Sequence, residues 1–113
     1  MTTDEARSDK SYFAYKLIPP RPDFAATLAA DEDALMADHI AYWTEHLNRG
    51  IAVAFGPVAD PSGVYGLAVI EATPEQAQAL ADNDPAIQSG LCRSELHPMP
   101  GAIVRYGPPA IPP

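Results

Sequence analysis

Residues 31–57 read DEDALMADHIAYWTEHLNRGIAVAFGP, and the architecture follows from how that stretch divides. Asp31, Glu32 and Asp33 stand together at its start, where carboxylates complement the positive end of a helix. Met36, Ile40, Trp43 and Leu47 recur at steps of four, three and four, which predicts an apolar stripe along a helix from Asp31 to Arg49. Arg49 suits the last turn, and Gly50 suits a left-handed cap beyond it. The pattern then changes. Ile51 to Phe55 is short, apolar and rich in β-branched and aromatic residues, hence a strand, and Gly56-Pro57 closes it.

Upstream, Ser11 to Ile18 alternates. Phe13, Tyr15 and Leu17 share one face, with Tyr12, Ala14 and Ile18 on the other, so a strand is predicted that ends at Pro19 and Pro20. Downstream, Asp60-Pro61-Ser62-Gly63 fits a type I turn leading into a strand from Val64 to Glu71. Thr73-Pro74-Glu75-Gln76 combines a capping threonine, a proline at the first helical position and a glutamine three residues on. The second helix reaches Asp82, and Asp84-Pro85 opens one further turn ending near Gly90. A fourth strand covers Leu91 to Leu96, and Ala102 to Tyr106 forms a small edge strand. The order βαββαβ predicts an α+β, ferredoxin-like domain: an antiparallel four-stranded sheet with two helices on one face. Both faces of the first strand are apolar, so the open face is expected to pair with a second copy, giving a dimeric α/β-barrel-like homodimer.

The 113 residues suit one domain, read as residues 11–106. Residues 1–10 read as a disordered leader and 107–113 as a proline-rich tail. A formal net charge of −8, from 7 basic and 15 acidic residues, disfavours nucleic acid and anionic membrane surfaces as partners. The polar start lacks an apolar h-region, and the single cysteine, Cys92, permits no internal disulfide; both predict a cytoplasmic protein.

Three stretches resemble the YCII-related family: His39-Ile40-Ala41-Tyr42-Trp43 followed by Leu47 and Gly50, then Gly56-Pro57, then Asp84-Pro85 with Gly90 after it. The order and spacing match over roughly residues 12–100. The resemblance implies a small ferredoxin-like dimer, similar in fold to muconolactone isomerase. It implies an active site formed by His39 and Asp84, in a family where dehydrochlorination of an aromatic ring is one assigned reaction. Met36 stands where many relatives carry arginine, and Ala86 where many carry an aromatic residue.

The residues themselves allow the same chemistry. A histidine between helix and sheet can give or take a proton, and a carboxylate beside it would hold its tautomer. The plainer accounts are a His39 bonded to a backbone carbonyl and an Asp84 that only caps its turn. Tyr15, Trp43, Gly56 and Pro57 are the candidate substrate-binding residues, with Gly56 allowing a close backbone approach. His46 reads as solvated, His97 as structural, and Cys92 as a strand residue without a reactive thiol. His39 and His46 lie seven apart, too far for one ion, so no metal and no cofactor are expected. Two functions remain open: an acid–base enzyme isomerising a small molecule or eliminating a group from it, and a non-catalytic dimeric binding or interaction module.

Overall fold

The computed structural model describes residues 10–105, so the expected leader (but for Lys10) and the proline-rich tail lie outside the described residues. The elements are β1 (Ser11–Ile18), α1 (Ala30–Asn48), β2 (Ala52–Val58), β3 (Tyr65–Ala72), α2 (Pro74–Asp82), the one-turn α3 (Pro85–Gln88) and β4 (Arg93–Pro98). A 3-10 turn, Phe24–Ala26, interrupts the loop between β1 and α1. The sheet order is β2-β3-β1-β4 with every pairing antiparallel, which is the ferredoxin-like arrangement. No helix among the described residues is long and apolar enough to cross a membrane.

Local chemistry accounts for the boundaries. Thr73 Oγ1 accepts the Gln76 N–H at 3.2 Å and Gln76 Oε1 accepts the Thr73 N–H at 3.1 Å, a complete capping box at the start of α2. Gly50 follows α1 with φ of +78°, the left-handed conformation that glycine adopts without steric cost. The Asp60 carbonyl accepts the Gly63 N–H at 2.9 Å, closing the turn between β2 and β3.

The alternation of β1 is the axis of the core. Phe13, Tyr15 and Leu17 are buried and stand opposite Ile70, Ala68 and Gly66 of β3 on the helix-covered face. Ala77 and Ala81, four apart on α2, are fully covered, so their small side chains let that helix lie close to the sheet. Trp43 of α1 fills the centre, with its ring centroid 4.9 Å from that of Tyr15. The Tyr42 hydroxyl donates to the Leu80 carbonyl at 2.8 Å and ties α1 to α2.

Four expectations need correction. First, β2 does not end at Gly56-Pro57 but runs through both to Val58. It is an edge strand, so a proline there costs no ladder bond on its open side. Second, residues 102–105 form no strand, and Tyr106 lies outside the described residues. The sheet ends with β4, and Cys92 sits in the turn before it. Third, α1 is rotated from the expected stripe. Ile40 is 54% exposed and Leu47 38% exposed, while Met36, His39, Tyr42, Trp43 and His46 turn inward. Fourth, His46 is half-buried rather than solvated. Its ring meets Tyr42 edge-on at 4.6 Å, and its Nδ1 is buried without a hydrogen-bond partner among the described residues.

A bulge in β2 has a direct consequence for the site. The register shifts between Ala52 and Ala54, so Ala52 and Phe55 both stand on the helix face, opposite Ile70 and Ala68. Without the extra residue, period-two alternation would put Phe55 and Pro57 on the opposite face.

Candidate active site

Two element termini and the middle of α1 meet at Asp84. Pro85 occupies the first position of α3, and the residue before a proline is steered into extended backbone; Asp84 has φ −61° and ψ 127° and caps the turn. Its Oδ1 accepts the Ala86 N–H at 2.9 Å. Its Oδ2 accepts the Tyr15 hydroxyl at 2.8 Å and the Trp43 indole N–H at 2.8 Å. His39 Nδ1 lies 2.8 Å from Oδ2 and 3.0 Å from Oδ1. Asp84 is 0% exposed, and among the described residues no other polar or charged residue is buried so fully. Capping and holding His39 are thus joint roles of one carboxylate.

The ionisation of Asp84 follows from these contacts. Desolvation is the largest influence and pushes its pKa up. The hydrogen bonds from His39 and Trp43, the charge of His39 and the Ala86 N–H outweigh it, and the net direction is down. An ionised carboxylate only accepts, so Nδ1 of His39 is the donor and Nε2 carries the lone pair of the neutral ring. Tyr15 moves the opposite way. Burial first, then the charge and hydrogen bond of Asp84, raise its pKa strongly, so its phenol stays protonated. His46 is pushed down mainly by burial, and Cys92 is pushed up to about 11 by the same cause.

A cavity of about 350 Å³ opens between α1 and the sheet. The size is within the usual range of small-molecule sites. Its walls come from β1, the 3-10 turn, α1, β2 and β3, and include His39 beside Met36, Phe24, Phe55 and Leu17. Tyr15, Trp43, Gly56 and Pro57 all border it. Gly56 does so for a different reason than expected. A Cβ built on it meets nothing within 4 Å, whereas one on Gly66 would meet Leu17 Cβ at 3.1 Å. The close approach belongs to β1 and β3, not to β2.

The expected residues therefore come together, and two functional features were missed. Tyr15 and Trp43 were read as lining a pocket but also fix the carboxylate. Trp43 stands four residues after His39, on the same helical face, so that spacing was a signal in the sequence. Phe55 was missed because no periodicity rule anticipates a bulge. His97 lies apart on β4, with Nε2 3.1 Å from Glu95. Among the described residues, no group of three His, Cys, Asp or Glu is placed to hold a metal ion.

No curated protein matches the sequence. A solved structure of 5-chloro-2-hydroxyhydroquinone dehydrochlorinase from Burkholderia phenoliruptrix, in complex with 2,5-dihydroxybenzoquinone, is similar in fold. The TM-score is 0.55 at 14% identity, covering 85% of this chain and 95% of that one. The family model for the YCII-related domain matches residues 13–99, which hold all the described strands but the first two residues of β1, all the described helices and both members of the His39–Asp84 pair, and the chain belongs to the YCII-related domain family.

Proposed function

We propose that the protein is a cofactor-independent enzyme that uses His39 and Asp84 for acid–base chemistry, an isomerisation or an elimination, on a small cyclic or aromatic molecule. The observation that carries this reading is the His39 ring, held through Nδ1 by a buried carboxylate and set in the wall of an apolar cavity. With Nδ1 engaged, Nε2 is the nitrogen left to take a proton from a C–H or O–H of the substrate. The electron pair stays on the substrate, and the imidazolium formed is paired with Asp84. Returning the proton at another atom completes an isomerisation; losing a leaving group from the anion completes an elimination. The structural neighbour's name, a dehydrochlorinase of a hydroxylated ring, fits the second course. Tyr15 and Trp43 border the ligand's space as well as fixing Asp84.

The other reading, a non-catalytic binding module, calls for an unpaired His39 in a wet pocket, and the Asp84 contact argues against it. The proposed enzyme works as a homodimer through the open sheet face, where Ala14, Leu67, Val69 and Val58 are incompletely covered. Its setting is the cytoplasm, where the lone thiol of Cys92 stays reduced. The test is exchange of solvent deuterium into enolisable cyclic ketones and phenols, followed by NMR. Wild type should exchange at least one ring proton faster than His39→Ala; equal rates across the whole series would sink the reading.

A further inference from the structure

We infer that the cavity selects uncharged one- or two-ring molecules and rejects their carboxylate or phosphate analogues; the inference rests on His39 being the base. The charges around the cavity support it. Among the described residues no lysine or arginine borders it, and the titratable side chains that do are His39, Asp33, Tyr15 and Tyr65. Arg21, on the loop that supplies Pro19 and Phe24 to the wall, is committed elsewhere. Its guanidinium donates to both Glu32 oxygens at 2.9 and 2.7 Å and to the Thr27 side chain and carbonyl. Behind His39 stands the Asp84 carboxylate, fully buried.

Charge counting then decides. A neutral substrate that gives its proton to Nε2 becomes an anion beside a new imidazolium, and the site keeps the single negative charge it began with. A substrate already carrying a carboxylate adds a second negative charge within apolar walls, with Asp33 at the rim; the nearby cations lie behind wall residues, Arg21 over the Phe24 ring at 5.1 Å and Lys16 over the Tyr65 ring at 4.5 Å. The acidic surface, net −8 over the chain, adds repulsion at longer range. Size sets the other bound. An apolar cavity of about 150 Å³ is enough for benzene, so about 350 Å³ admits one or two rings. Gly66 and Ala68 contribute little bulk where the sheet borders that space.

A matched pair of probes separates charge from shape: naphthalene-2-carboxamide and 2-naphthoate, titrated calorimetrically into the full chain at neutral pH. The expected result is carboxamide binding at least about tenfold tighter, a difference of about 1.4 kcal/mol, with the gap narrowed or reversed in Met36→Lys. Naphthoate binding as tightly as the amide, or no binding of either, would overturn the inference. Deuterium exchange into 2-tetralone, a neutral enolisable two-ring ketone, is followed alongside in wild type and His39→Ala. Exchange that depends on His39 without charge discrimination overturns this inference alone. Discrimination with no His39-dependent exchange in 2-tetralone or in any other member of the ketone and phenol series overturns the acid–base reading instead, and the charge preference is then one of binding alone.

Discussion

Two carboxylates of this protein collect hydrogen bonds at helix starts, and they differ in burial. Asp84 caps α3 and accepts from Ala86, Tyr15, Trp43 and His39 while fully buried. Glu32 lies in the first turn of α1 and accepts from the Ala29 N–H at 2.9 Å and from Arg21 twice. Both have pKa values below the ordinary range. For Glu32 the Arg21 hydrogen bond is the main cause and the value falls to about 2. For Asp84 desolvation opposes the shift and the donors overcome it. The sign of the linkage is the same for both. Each stabilises the fold above the ordinary carboxylate pKa and loses that contribution as the pH falls through its own lowered value. The magnitude is not the same. The Glu32 side chain keeps 15% exposure and that of Arg21 34%, so water can replace part of what Arg21 supplies, and ion pairs that water reaches contribute little. Inside, nothing replaces the carboxylate, and its donors would be stranded.

Removing each carboxylate is therefore the sharpest way to break the comparison. Asp84→Ala leaves Tyr15, Trp43 and His39 donors without an acceptor and should lower the unfolding free energy by about 3–5 kcal/mol, the scale found for breaking a buried pair. Urea melts would read this, and the acid limb of the stability curve should flatten with it. Next is His39→Ala. It should cut proton-transfer activity by about 10²- to 10⁴-fold, while the melt moves less than in Asp84→Ala because Asp84 keeps three donors. A drop in stability as large as that of Asp84→Ala would merge the two roles this account separates.

Tyr15→Phe is milder. It removes one of the four donors and should cost about 1–2 kcal/mol. Tyr15 also bears on the alkaline limb of the stability curve. Its raised pKa means stability fully present below the ordinary phenol value of about 10 and lost as the pH rises above it. The variant's melting temperature should therefore fall less steeply above that pH than wild type's. The smallest effect is expected for Glu32→Gln, a slight shift in melting that fades in high salt. A loss comparable to that of Asp84→Ala would show that burial is not what separates the two sites.

The residues that order the fold were legible because local rules agree with one another. Thr73-Pro74-Glu75-Gln76 forms the capping box it suggests, and the alternation of Ser11–Ile18 puts Phe13, Tyr15 and Leu17 into the core. The orientation of α1 was harder to read. An apolar count favours Ile40 and Leu47 over His39, Tyr42 and His46. Yet Tyr42 reaches the Leu80 carbonyl and His39 reaches Asp84, so polar groups with partners displaced aliphatic ones from the buried face. That displacement set His39 between helix and sheet, part-buried, with 12% of its side chain exposed. The cavity wall was illegible for a different reason: Phe55 reaches it through a bulge, and a register shift leaves no trace in composition or spacing.

The central claim is that Asp84 holds the proton of His39 on Nδ1 and leaves Nε2 to act. Long-range proton–nitrogen NMR correlation of the His39 ring, recorded where the ring is neutral, tests it directly. The account predicts the Nδ1–H tautomer in wild type and its weakening in Asp84→Asn. A dominant Nε2–H tautomer in the wild-type protein would contradict it, because Nε2 would then have no lone pair with which to take a proton.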